Sequence, residues 1–194
     1  MSSENIIQEA EAGQEQSFSI KFIDPEAIVE KIELMQGAVV ADFGCGGGYF
    51  SLPIAKKIGE QGVVYALDIL PQSLETVTSQ AKTAGLTNIV TKRANLEKVG
   101  GSRLPDNSCD WVIIKDMLFQ NKNKVTILQE GRRILKDGGK ILLIEWNLED
   151  ASIGPDRSLR VSKEELFDLI QQSALSLANE IQVSDFHYCL VLVK

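Results

Sequence analysis

Val39-Val40-Ala41-Asp42-Phe43-Gly44-Cys45-Gly46-Gly47-Gly48-Tyr49-Phe50-Ser51 is the stretch on which the fold reading turns. It opens as a valine-rich apolar run, suited to a strand buried on both faces. An acid, Asp42, stands where that strand should end. Glycines follow at 44, 46, 47 and 48, and Tyr49 through Ile58 reads as a helix. Strand, glycine turn and helix together open a nucleotide-binding βαβ unit. Glycine suits the turn because it is tight and because a ligand must approach bare backbone.

The loop departs from the dinucleotide fingerprint. Counting from Gly44 and Gly46, the place of the third small residue is taken by Tyr49. The spacing is instead Asp42-x-Gly44-x-Gly46-x-Gly48, which resembles the first motif of class I S-adenosylmethionine-dependent methyltransferases. The resemblance implies a ligand with an amino group and a sulfonium. Asp42 would suit such positive charge, whereas a pyrophosphate would not want it nearby. The bland alternative is a glycine-rich turn that binds nothing.

Working outward, Val63 to Asp68 reads as a second buried strand that also ends on an acid. A carboxylate about 20 residues past the glycines is where βαβ sites bind a ribose diol. Asp68 is also positioned to cap the helix that starts at Pro71. The helices are predicted at Pro25–Gln36, Tyr49–Ile58, Pro71–Ala84, 122–135 and Ser162–Ala178, the last opened by the capping box Ser162-Lys163-Glu164-Glu165. Strands are predicted at Asn88–Arg93 and Cys109–Lys115, after the Gly138-Gly139 turn, and at Glu180–Ser184 and Tyr188–Val193. The expected architecture is α/β: a Rossmann-like, seven-stranded, mostly parallel sheet with helices on both faces and a C-terminal antiparallel hairpin. All of residues 1–194 would form one domain, with residues 1–23 an extension that either lids the site or merely covers the sheet.

Two further segments resemble the same family, and most of all its small-molecule branch, which includes the ubiquinone and menaquinone biosynthesis enzymes. They are Leu104-Pro105-Asp106-Asn107-Ser108-Cys109-Asp110 before strand four, and Arg132 to Ile144 around the fifth strand. The resemblance then runs from about residue 24 to the end. It assigns the cofactor to Asp42, Gly44, Cys45, Gly46, Gly48 and Tyr49 in the loop, and to Asp68 and Ile69 after strand two. Asn95 and Leu96 after strand three, and Lys115 and Met117 after strand four, complete the set. Leu70 would pack on the adenine beside Ile69, and Asn95 would face its amino group or simply serve the turn.

Methyl transfer from a sulfonium needs alignment and dryness more than a dedicated base, because the leaving group is already activated. A catalytic residue is therefore hard to read from the chain. His187, the single histidine, is a candidate base or a half-buried strand residue. Phe22, Phe119, Trp146 and Tyr188 are candidate acceptor-pocket aromatics, and Arg157 and Arg160 are candidate anchors for an acidic acceptor or a solvated loop. No Pro-Cys nucleophile is present and no Asn/Asp-Pro-Pro-aromatic sequence follows strand four.

The net charge of −7 argues against holding nucleic acid by its phosphates. Cys45, Cys109 and Cys189 lie far apart, with neither metal spacing nor a paired framework, and suggest reduced thiols in the cytoplasm. No leader-like pattern, membrane-length apolar run or metal site is read. The expectation is a methyltransferase acting on a small molecule. The alternatives kept open are a cofactor-binding partner or sensor without catalysis, a protein or RNA methyltransferase, and a nicotinamide-dependent oxidoreductase.

Overall fold

A computed structural model describes residues 22–149 and 152–194. The expectations for residues 1–21 lie outside the described residues. Seven strands form one sheet in the order β3-β2-β1-β4-β5-β7-β6. The strands are β1 (Val39–Phe43), β2 (Val63–Asp68), β3 (Ile89–Arg93), β4 (Cys109–Lys115), β5 (Leu135–Trp146), β6 (Ser176–Glu180) and β7 (His187–Val193). The first five run parallel, while β7 lies antiparallel between β5 and β6. The helices are α1 (Pro25–Lys31), α2 (Ser51–Ile58), α3 (Pro71–Thr83), α4 (Lys124–Ile134) and α5 (Lys163–Gln172).

The period-two pleat sorts the buried side chains onto two faces. Val40, Val64, Ile113, Leu142 and Ile144 pack with Ile28, Ile54 and Ile58 of α1 and α2. Ala41, Val112, Ile114, Ile141 and Leu143 pack with Ile127, Leu128, Leu166 and Ile170 of α4 and α5. Val77 of α3 packs against Ala66, on the first of these faces. Burying both faces explains why the central strands read as unbroken apolar runs. Parallel strands with crossovers bring all their carboxyl ends to one edge, and the order reverses between β1 and β4, where such folds bind ligands.

Local chemistry sets the element ends. Asp24 caps α1 by accepting from Ala27 N at 3.1 Å, with Pro25 in the first turn. Ser162 caps α5 by accepting from Glu165 N at 3.0 Å. Two expected helices are shorter than their sequences suggested. α1 stops at Lys31, because Ile32 turns extended and Leu34 dives into the core, leaving Met35 73% exposed. α5 stops at Gln172, because Ala174 takes a left-handed φ of 53° and the chain turns into β6. The penultimate strand is therefore Ser176–Glu180, not Glu180–Ser184. It is an edge strand exposed throughout, so no burial alternation marked it.

Arg132 and Arg133 stand in the last turn of α4 and hold neighbouring segments. Arg132 Nε donates to Ala174 O. Arg133 binds Glu130, Asp106 and the carbonyl of Leu104. Glu130 in turn accepts from Gly100 N and Ser102 N, so this network pins the loop before β4 onto α4.

Candidate functional site

At the carboxyl edge a cleft of about 300 Å3 opens between the glycine loop and the ends of β2, β3 and β4. Gly44, Gly46, Asp68, Ile69, Asn95, Leu96 and Met117 line it, together with Leu70, Ser73, Glu97, Gln120 and Asn121. Seven of the twelve residues that the resemblance assigns to the cofactor, and Leu70 with them, are thus brought together. The loop is tied down by its own backbone, since Gly44 N and Cys45 N both donate to Leu67 O. Gly46 has φ 51° and open space where a side chain would start, so its bare backbone faces the cleft. Gly48 has φ 86°, and a Cβ there would stand 2.4 Å from Leu52 Cδ1 and 3.2 Å from Val77 Cγ2. It sits under the loop, not in the cleft.

Asp68 is the hinge of the cleft. Oδ2 accepts from Gly46 N at 3.0 Å and Oδ1 from Leu70 N at 2.9 Å. It does not cap α3, whose N-cap is Leu70 with no side-chain bond. A carboxylate has about four acceptor positions, so the two backbone bonds leave room for a diol. Exposed Ile69 and Leu70 offer an apolar flank beside it. Asn95 Oδ1 accepts from Glu97 N at 3.1 Å, which makes a turn of the segment after β3. Glu97, not anticipated, accepts from Lys122 N and Asn123 N at 2.9 and 3.0 Å and ties the two loops flanking the cleft together.

The other expected cofactor residues surround the cleft without lining it. Asp42 is buried and accepts from Ser51 Oγ at 2.5 Å. Burial pushes its carboxyl up to about 6, with Ser51 and Lys115 pulling down and Asp68 adding upward. Lys115 itself pairs with Asp116. The Cys45 thiol is buried and held far above its ordinary range by that burial and by Asp42 and Asp68, so it is an inert packing group. Tyr49 is exposed and its hydroxyl donates to Ile23 O at 3.2 Å.

One residue beyond β4, on the β5 and β7 side, a second polar group assembles. Asp116 holds a left-handed φ of 51°. Its Oδ2 meets Lys115, and its Oδ1 stands 3.3 Å from His187 Nε2, without the alignment of a hydrogen bond. Burial raises the Asp116 carboxyl, but His187 and Lys115 beside it outweigh that and leave it below its ordinary value. Glu145 is 0% exposed at the end of β5, and its Oε1 accepts from Met117 N at 2.9 Å and Leu118 N at 2.5 Å. Burial pushes its carboxyl up to about 8, those backbone donors pull down, and the charge of Asp116 adds upward. Among the described residues, the buried side-chain atoms without a hydrogen-bond partner are Asp116 Oδ1, Glu145 Oε2 and His187 Nε2. Each such orphan costs about 1–3 kcal/mol.

His187 therefore lies in a strand, as its bland reading had it, yet inside this cluster. The imidazole lies tilted by 40° against half-buried Trp146, with ring centroids 4.0 Å apart. Tyr188 points into the α4–α5 side, its hydroxyl donating to Val161 O. Phe119 packs against that same core, and Phe22 stacks on Phe186 at 5.7 Å. Arg160 is no solvated anchor. It is buried and donates to the carbonyls of Pro155, Asn147 and Ile153, stapling the loop after β5. Arg157 starts a single 3-10 turn, Arg157–Leu159, in that loop and is exposed.

The chain matches a family model described as a methyltransferase domain over residues 34–190. Among curated proteins it is 28% identical over 120 residues to a demethylmenaquinone methyltransferase of Geobacillus kaustophilus, covering 62% of this chain and 50% of that protein. It is 32% identical over 124 residues to the aklanonic acid methyltransferase DauC of Streptomyces sp. strain C5, covering 63% and 55%. The chain thus spans about half the length of the curated relatives it matches. Among solved structures it superposes on a SAM-dependent methyltransferase from Aquifex aeolicus with a TM-score of 0.80 at 22% identity, covering 89% of this chain and 90% of that one. The [4+2]-cyclase SpnF also shares the fold, with a TM-score of 0.75 at 15% identity, covering 88% and 79%.

Proposed function

The chain belongs to the methyltransferase domain family, class I, whose cofactor is S-adenosylmethionine, and from that premise we propose that it methylates a small molecule. The observation that carries this reading is Asp68, braced by Gly46 N and Leu70 N at the mouth of a cleft floored by the glycine loop. When bound, S-adenosylmethionine supplies a methyl group on a sulfonium, already activated for in-line displacement.

The work left to this chain is binding, orientation and exclusion of water. Asp68 would accept from both ribose hydroxyls, with Ile69, Leu70 and Leu96 enclosing the adenine and Asn95 reading its edge. Gly44 and Gly46 would let the methionine portion lie on bare backbone. Asp42, set under the loop beside Asp68 and Lys115, contributes negative charge to the region when ionised. Met117 stands over Gly44, with Sδ 3.5 Å from where a Cβ would be. The three cysteines are unpaired and buried, which supports a reducing compartment, and among the described residues no helix is long and apolar enough to cross a membrane.

A calorimetric titration with S-adenosylmethionine tests the reading. Wild type should bind, and Asp68→Ala should bind about a hundredfold more weakly, since two hydrogen bonds to a charged group are lost together. A wild type that does not bind would overturn it. A second reading, binding without methyl transfer, draws on the cyclase neighbour, because one fold hosts unrelated chemistries. Formation of S-adenosylhomocysteine in the presence of hydroxylated and amine acceptors would exclude it.

A further inference from the structure

Two carboxylates hold the loop after β4 by its two ends, and they do so in the same way. Glu145 Oε1 accepts from the successive amides Met117 N and Leu118 N. Glu97 Oε1 accepts from the successive amides Lys122 N and Asn123 N. Between these anchors the loop is braced internally. Asn121 Nδ2 donates to Met117 O and Gln120 Nε2 donates to Asp116 O, each at 2.7 Å. The anchors are therefore where the loop can give.

The anchors differ in depth. Glu145 is 0% exposed, and breaking its bonds would leave a buried carboxyl and two amides unpaired. Glu97 is half-buried at the cleft, where water can take over both of its bonds. The Lys122–Asn123 end is thus the releasable one. Helix α4 starts there, and its N-cap Asn123 supplies no side-chain bond of its own. The brace at this point comes instead from Glu97, on a different loop.

What Glu97 joins gives the bond its meaning. It follows Asn95 and Leu96, which line the cleft, and Asn95 Oδ1 accepts from Glu97 N at 3.1 Å. The loop after β4 brings Met117, Gln120 and Asn121 to the same cleft. A ligand that settles against Asn95 and Leu96 fixes the segment that aims Glu97, and Glu97 in turn fixes the loop.

Resting on the cofactor reading above, we propose that Glu97 is a positioning residue that couples occupancy of the cleft to the closing of the loop between Met117 and Asn123. It acts through the backbone of Lys122 and Asn123, and so sets how fast the cofactor leaves. Glu145 is the fixed end about which the loop gives.

Two measurements read the coupling: amide hydrogen exchange by NMR of the full chain, with and without S-adenosylhomocysteine, and the dissociation rate of that ligand. In wild type the ligand should slow exchange at Lys122 and Asn123 about tenfold. Glu97→Ala should abolish that slowing and speed dissociation about tenfold, while Met117 and Leu118 keep their protection. Glu97→Gln, which keeps an acceptor oxygen, should recover most of both effects. A brace that only stabilises the fold would leave the dissociation rate alone. Exchange at Lys122 and Asn123 that ignores the ligand in wild type would overturn the coupling, as would an unaltered dissociation rate in Glu97→Ala. Loss of protection at all four amides together would overturn the division into a fixed and a releasable end. Failure of wild type to bind S-adenosylhomocysteine would instead sink the cofactor reading on which the proposal rests.

Discussion

The cleft under the glycine loop and the polar cluster beyond β4 are one residue apart along the chain and are built in opposite ways. The cofactor side, between β1, β2 and β4, is made mainly of backbone. Its amides are tied to Leu67 O and Asp68, and its shape follows from glycines. The cluster beyond β4, β5 and β7 is made of side chains from Lys115, Asp116, Glu145, Ser184 and His187, with bonds left unmade. A shared cofactor needs a geometry that backbone can supply, whereas donors and acceptors on side chains are what a few substitutions can rearrange.

The comparison is broken most forcefully at Gly48. Gly48→Ala puts a Cβ at φ 86° against Leu52 and Val77, and should cost about 3 kcal/mol, read as a lower thermal midpoint. Gly46→Ala meets no neighbour but must hold φ 51°, so it should cost only about 1 kcal/mol while damaging cofactor binding. If both variants lose stability equally, the glycine loop is structural throughout and the contrast fails.

Asp42 sharpens the comparison through pH. Burial pushes its carboxyl up to about 6, so cofactor affinity should weaken as pH drops below 6. Because that value is raised above the ordinary one, the same group stabilises the ligand-free fold at low pH. That contribution is lost as pH climbs from about 4 to 6. Asp42→Asn should flatten both profiles, with calorimetry and thermal melts as the two measurements.

The smallest effect is expected at Glu145. A carboxyl raised to about 8 makes the fold lose stability as pH rises from about 4.5 to 8, with no further loss above. Between pH 7 and 8 this amounts to about 1 kcal/mol, seen as a falling thermal midpoint. Glu145→Gln keeps an acceptor for Met117 N and Leu118 N and should remove that slope. A wild-type midpoint that is flat over the interval would show that Glu145 is already ionised, and the cluster beyond β4 would then carry an extra negative charge.

The same contrast explains what could be read in the chain. Asp42, the glycines and Asp68 were legible because a buried strand ending on an acid, followed by a tight turn, leaves a local pattern. β1, β2 and β4 were legible for the same reason. Glu145 ends the apolar run Ile141–Ile144 in that very way, and the signal was there to be used. The pairing of Asp116 with His187 was not legible, since it joins residues far apart through the antiparallel register of Trp146 with His187. Glu97 escaped notice, and the stapling role of Arg160 was not read, because their partners are backbone carbonyls and amides, which leave no periodicity. The end of α5 was missed because a left-handed alanine carries no helix-stop signature.

The reversed direction of β7 sends the end of the sheet's last central strand back to the far edge. There Lys194 N donates to Gly139 O and its ammonium bonds the carbonyl of Leu135. Phe22, by contrast, lies on the cleft edge against Phe186. A dye, a surface tether or a fused reporter attached beyond Lys194 would therefore sit a full strand length from the cleft. That makes Lys194 the place to tether the protein for the binding experiments above.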